Sequence, residues 1–225
     1  MNVLVLKIIA LATMITDHYG AIFQSGVLTY RIIGRLAFPI YCFLLVEGYS
    51  HTGNVKKYAA RLFLFAIISE LPFDLAFYNK VIFTHQNIFF TLFIGLLTIY
   101  ILDNIEVKFK SKGTSEIIAT ATIIVACLLA IVMSVDYTAT GIAYILLFYK
   151  TRSFSNKKKF TTIAVGMFLL NLMSSWIQQF SLLALALIYF YNEELGPKNK
   201  VLQLLFYAAY PLHLLIFYSI KTNFM

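Results

Sequence analysis

Apolar runs of about twenty residues follow one another along almost the entire chain, and each is near the length a helix needs to cross the hydrocarbon of a bilayer. With 60% hydrophobic and only 12% charged residues, the 225-residue sequence is too oily for a water-soluble domain. The runs divide it into segments 3–23, 28–49, 57–79, 86–102, 115–134, 138–150, 160–176, 180–191 and 201–220. This predicts an all-α, polytopic membrane bundle of about nine transmembrane helices, or eight to ten given the shortness of the sixth and eighth. No internal repeat stands out, and no hydrophilic stretch is long enough for a second domain, so 1–225 reads as a single unit. The first segment is read as retained, because Lys7 interrupts it and Asp17 and His18 stand where a cleavage site of small residues would be expected. Cys42 and Cys127 lack C-x-x-C spacing and suggest neither a disulfide framework nor a metal site.

Lys and Arg concentrate in alternate loops. Lys56, Lys57 and Arg61 follow the second segment, and Lys108, Lys110 and Lys112 follow the fourth. Lys150, Arg152 and Lys157 to Lys159 follow the sixth, and Lys198 and Lys200 the eighth. Apart from Lys80, the intervening loops carry almost no positive charge, which predicts a cytoplasmic N-terminus and a multi-pass protein of the cell membrane. The net charge of +8 follows from this bias and gives no reason to invoke nucleic acid.

The ionisable residues inside the segments then fall into two layers. Asp17, His18, Arg31 and Arg35 belong to the outer halves of the first two helices. The arginines of "RIIGR" are four apart and share a face, so Asp17 can pair with one of them. Adjacent helical residues diverge by about 100°, so Asp17 cannot easily orient His18, whose partner is expected on another helix. In "ISELPFDLAFY", Glu70 and Asp74 are also four apart, and Pro72 between them is expected to break the backbone ladder toward a protein-lined cavity. His85, Gln86 and Asn87 at the start of the fourth segment, and Pro211 and His213 in "YPLHL", complete the outer layer. Near the cytoplasmic face lie Lys7, Glu47, His51, Asn54, Lys56 and Lys57. Lys7 and His18 share one helix face, about 16 Å apart.

Structural roles compete with functional ones at each position. The charges can be buried ion pairs that fix helix register, His51 can snorkel at the interface, and His85 can be a solvated loop residue. The tyrosines and Trp176 fit an interfacial belt, and Lys157 to Lys159 a topology signal. The accumulated cost of so many charges at membrane depth is what a purely structural account handles poorly. There is no H-E-x-x-H, P-loop or G-x-S-x-G, and no two histidines have ligand spacing within one helix, so no metal is expected. Acid/base or acyl-transfer chemistry by a histidine and ion-coupled transport by carboxylates both fit the residues.

The stretches "LKIIALATMITDHYG", "RIIGRLAFPIYCFLLVEGYSHTGNVKKYAARL", "ISELPFDLAF", "HQNIFFTL" and "FYAAYPLHL", in this order, resemble the TraX family over nearly the whole chain. That family is similar to a wider group of transmembrane acyltransferases, and its founding member is implicated in acetylating the N-terminus of conjugative F pilin. The resemblance implies transfer of an acetyl group from acetyl-CoA, as co-substrate, to an amine or hydroxyl acceptor such as a protein N-terminus or an envelope molecule. The expected partners are acetyl-CoA, this unidentified acceptor and membrane lipid. His18 would be the base or the acyl carrier, with His213 its main competitor and His85 a further candidate. Arg35 or Asn87 would stabilise the oxyanion, and Asp17, Glu70 or Asp74 would set a histidine's tautomer. The cofactor-binding set would be Lys7, Arg31, Glu47, His51, Asn54, Lys56, Lys57 and Arg61, with Lys7, Lys56, Lys57 or Arg61 on the phosphates. The alternatives are a proton-coupled transporter, which the absence of a second copy of the first-half motifs disfavours, and a noncatalytic scaffold.

Overall fold

A computed structural model describes residues 1–109, 111–197 and 199–224. Lys110 and Lys198, two of the loop cations, lie outside the described residues. The chain is all-α: α1 Val3–Phe23, α2 Leu28–Gly34, α3 Ala37–His51, α4 Val55–Tyr78, α5 Ile88–Lys108, α6 Lys112–Val132, α7 Thr138–Thr151 and α8 Asn156–Asn171. A 3-10 segment, Trp176–Leu183, then runs directly into α9 Ala184–Tyr189, and α10 spans Lys200–Phe224.

Five of these are long and apolar enough to cross a membrane: α1, the α2–α3 pair taken together, α5, α6 and α10. The remaining expected segments are also helical, but α7, α8 and the 3-10/α9 unit are short, and α4 carries charge at both ends. α3 and α5 are the most buried and form the centre of the bundle, whereas α6 and α10 lie at its periphery. The outward faces are apolar, with Leu64, Ile67, Ile68 and Leu71 exposed on α4 and Ile124, Val125 and Leu128 on α6. Such faces suit lipid, because helices satisfy their own backbone there. The chain is a helical membrane protein.

Three local expectations need correction. The second segment is not one continuous helix: it is interrupted at Arg35–Leu36. Pro39 has no N–H to give the Arg35 carbonyl and its ring crowds that oxygen, which accounts for the position of the break. Pro72, conversely, does not unwind α4, which runs unbroken from Val55 to Tyr78. A proline forfeits one hydrogen bond, and here the buried packing of Pro72, Phe73 and Asp74 holds the helix on either side. Lys157 to Lys159 lie in the first turn of α8 and not in the preceding loop.

The packing that positions the candidate residues begins with the α1–α2 hairpin. A Cβ on Gly20 would stand 2.3 Å from Tyr30 Cβ, and one on Gly34 would stand 2.2 Å from both Cβ and Oδ1 of Asp17. Two glycines therefore let these helices approach until the arginines of α2 reach across to α1. α10 packs against both α1 and α4, closing the ring around the site.

Candidate active site

Asp17 pairs with both arginines. Its Oδ2 receives Arg31 Nη1 at 2.9 Å and its Oδ1 receives Arg35 Nη2 at 2.7 Å. Arg35 also donates through Nε to the Arg31 carbonyl at 3.1 Å and through Nη1 to Gln178 Oε1 at 3.2 Å. Gln178 is held in place by Asn171, which donates to its carbonyl at 3.0 Å and accepts from the buried Tyr144 hydroxyl. Gly34→Ala is expected to push Asp17 off this pair of guanidinium groups and cost about 1–3 kcal/mol through overpacking. Denaturant titration in detergent measures this, and an unchanged midpoint would mean that α2 can retreat without losing the arginines.

His18 finds its partner on another helix: its Nδ1 lies 2.7 Å from His213 Nε2, with the rings stacked 5.0 Å apart. His213 Nδ1 lies 2.7 Å from the Ala209 carbonyl. A carbonyl only accepts, so the His213 proton sits on Nδ1 and its Nε2 carries a lone pair. His18 Nδ1 must then be the donor, which leaves the lone pair on His18 Nε2. The tautomers are thus set by Ala209 and by the pair itself. Asp17, Glu70 and Asp74 make no hydrogen bond to either ring among the described residues.

Those carboxylates and Asn87 have other partners. Asn87 caps α5, accepting from Phe89 N at 3.0 Å while its amide nitrogen donates to the Ala66 carbonyl at 2.8 Å and to Glu70 Oε2 at 2.5 Å. Both of its side-chain donors are used, and this fixes the start of α5. Asp74 is fully buried and accepts from Ile82 N at 2.8 Å, which shapes the turn after α4. His85 stacks on Phe73 at 5.7 Å.

Two cavities approach the histidine pair from opposite ends of α1. The larger, about 430 Å³, is lined by Asp17, His18, Arg31, Arg35, His85 and Gln178, together with Tyr78, Asp136 and Tyr137. The other, about 340 Å³, is lined by Lys7, Glu47, His51 and Arg61 at one end and by Met14, Tyr41, Phe89 and Tyr210 at the other. Tyr210 meets His18 edge-on at 5.8 Å, so a ring lining the Lys7 cavity touches a ring lining the His18 cavity.

The two sets of sequence candidates are therefore only partly brought together. Arg31 belongs to the His18 cavity, away from Lys7, with which the cofactor set grouped it. Lys56 and Lys57 are exposed and do not line the Lys7 cavity, and Asn54 caps α4 by accepting from Lys57 N at 2.9 Å. Lys7 and Arg61 remain as its cations, over the rings of Phe206 at 5.8 Å and Tyr58 at 5.6 Å. Glu47 accepts from Tyr191 Oη at 2.8 Å, and His51 Nδ1 lies 2.9 Å from the Glu47 carbonyl.

Sequence reasoning missed Asp136, Tyr137 and Gln178. The turn that carries Asp136 holds Ser134, Tyr137 and Thr138 at positive φ and is tied to Gln86 by two backbone hydrogen bonds of 3.1 and 2.9 Å. Left-handed backbone at three non-glycine residues is a cost that persists only where the surroundings over-determine it. Burial pushes the Asp136 carboxyl above its usual range, with His85 and Arg35 acting in the opposite direction. Nothing in the "VDYT" sequence signals this.

A probable fimbrial assembly protein, FimC of serogroup H1, from Dichelobacter nodosus is 37% identical over 113 residues, a match covering 43% of this chain and 44% of that protein. An uncharacterized protein from Rickettsia prowazekii (strain Madrid E) is 29% identical over 108 residues, covering 48% of this chain and 40% of that protein. The similarity thus spans less than half the length of these curated relatives. No solved structure matches. The family model described as TraX protein matches residues 3–221, and the chain belongs to the TraX family.

Proposed function

We propose that this chain is a membrane-embedded acetyltransferase that takes acetyl-CoA into the Lys7 cavity and passes its acetyl group to an amine or hydroxyl held in the His18 cavity. The observation that carries this reading is that one cavity is lined by His18, whose Nε2 keeps a lone pair, while a second, separate cavity is lined by Tyr210, whose ring touches both histidines. A donor and an acceptor arriving from opposite sides would meet at a general base already held in one tautomer.

The Lys7 cavity suits the donor. Its volume lies at the small end of ligand pockets, enough for a pantetheine arm, with the bulky nucleotide left at the mouth. Lys7 and Arg61 supply cations there for phosphate, and the aromatic inner end suits a short acyl thioester. The loop charges support a cytoplasmic N-terminus and a nine-pass chain of the cell membrane, which gives this cavity access to cytoplasmic acetyl-CoA. The fimbrial assembly role in the name of the Dichelobacter relative supports a pilin-like protein N-terminus as acceptor.

Purified protein in nanodiscs is expected to bind acetyl-CoA and to release CoA slowly even to water. Lys7→Ala is expected to weaken acetyl-CoA binding by about tenfold, as loss of a charge-assisted contact does, while leaving acetyl-pantetheine, which lacks the phosphates, unaffected. Folded protein that neither binds nor turns over acetyl-CoA would move the reading to transport.

A further inference from the structure

We propose that Tyr210 is a catalytic hydrogen-bond donor, supplying its phenol proton to the thioester carbonyl as that oxygen becomes an oxyanion. The inference rests on the acyltransferase reading and assigns a group that reading leaves open, since Asn87 has no donor to spare and Arg31 and Arg35, held on Asp17, line the His18 cavity and not the Lys7 cavity from which the thioester would come.

The position of the ring is the first argument. Tyr210 is 3% exposed, lines the inner end of the Lys7 cavity, and meets His18 at 5.8 Å and His213 at 5.7 Å. Phe89 packs edge-on against it at 5.3 Å and leaves the ring little freedom. Of the residues lining that cavity, Tyr210 is the one in ring contact with both histidines, so a carbonyl delivered to His18 from this side must pass against it.

The state of the hydroxyl is the second. The Tyr210 ring shares the wall of the cavity with Ile88 and Phe89, the first two residues of α5. Among the described residues no protein acceptor takes the phenol proton. A ligand carbonyl in the cavity is the acceptor such a donor would meet. The positive end of α5 adds to the stabilisation of negative charge at this point.

In the step itself, the lone pair of the acceptor nitrogen or oxygen forms a bond to the thioester carbon, and the acceptor's proton passes to His18 Nε2. The carbonyl π pair moves onto oxygen, where the Tyr210 O–H holds it by a hydrogen bond without giving up the proton. Collapse re-forms the carbonyl and breaks the C–S bond, and the CoA sulfur leaves with the proton from His18.

Tyr210→Phe keeps the ring and removes the donor. With acetyl-CoA as probe in nanodiscs, kcat for CoA release is expected to fall by about 10²–10³-fold, the usual effect of losing one oxyanion donor, with acetyl-CoA binding within about twofold of wild type. If Y210F does not fold, 3-fluorotyrosine at position 210 keeps the shape and strengthens the donor, and kcat is expected to change by at least about threefold. Wild-type kcat in Y210F, or in the fluorinated protein when that is the one tested, overturns the proposal. If His18-dependent turnover persists in that experiment, the acyltransferase reading survives the loss of Tyr210. If wild type neither binds nor turns over acetyl-CoA, both fall together.

Discussion

His18→Ala is expected to lower acetyl-CoA turnover by about 10²–10⁴-fold while leaving acetyl-CoA affinity within a few-fold of wild type, because a positioned general base acts on the transition state and hardly on donor binding. The donor's cations, Lys7 and Arg61, line the opposite cavity, so removing an imidazole beyond Tyr210 does not disturb them. His213 should behave differently. It accepts from His18 and lines neither cavity, so in this proposal it is a positioning residue. His213→Gln retains an acceptor for His18 Nδ1 and is expected to keep more activity than His213→Ala, with a pH profile displaced from wild type because the acceptor that steadies the His18 imidazolium has changed. Continuous CoA thiol release in nanodiscs, measured across pH, reads both effects. Equal losses in the two His213 variants would remove the tautomer argument, and full activity in His18→Ala would remove His18 as the base.

The same geometry bears on the transport alternative. A proton relay needs carboxylates and histidines in hydrogen-bonded sequence. Glu70 instead serves the Asn87 cap, and Asp74 serves the turn amide of Ile82. Among the described residues neither accepts from a histidine. Each acid of α4 thus has one oxygen engaged in closing α4 onto the start of α5, and its other oxygen has no partner among the described residues.

Which parts of this were legible in the sequence follows from the range of the interactions. Every expected segment is helical because apolar length is a local property, and the shared face of Arg31 and Arg35 follows from a spacing of four. The double engagement of Asp17 depends on Gly20 and Gly34 permitting close approach, and a glycine does not announce which helix will fill its space. The His18–His213 contact joins positions 195 residues apart, and nothing in a single sequence pairs them. Asn87 and Asn54 could have been recognised, since each stands immediately before an apolar helix in the manner of an N-cap. The family resemblance implies an oxyanion role for Asn87 and a cofactor role for Asn54, and the structure shows each making a capping hydrogen bond. Lys56 and Lys57 are similar: proximity in sequence to Arg61 suggested one cluster, but the two lysines are exposed in the first turn of α4, and Arg61, a turn further into the helix, is the one that lines the cavity.

Asp17→Ala is expected to be the most destabilising single substitution at the site, costing about 3–5 kcal/mol, because it leaves two guanidinium groups facing one another with neutral oxygens as their hydrogen-bond acceptors and Asp136 as the one other carboxylate among the described residues lining their cavity. The pair is largely buried, with 14% of each side chain exposed for Asp17 and Arg35, so water compensates little. The cost arises from the stranded charge more than from the worth of the bridge. It follows that Asp17→Asn combined with Arg35→Gln, which lowers positive and negative charge together, should be less damaging than the sum of the two single changes. Denaturant unfolding in detergent of wild type, both single variants and the double variant gives the coupling directly. Strict additivity would mean that Arg31 alone satisfies Asp17 and that Arg35 is held by Gln178 and its own helix. Strong coupling accompanied by wild-type CoA release in the double variant would make the triad a device for seating α1 against α2, and would leave the chemistry to the histidine pair and the ring of Tyr210 beneath it.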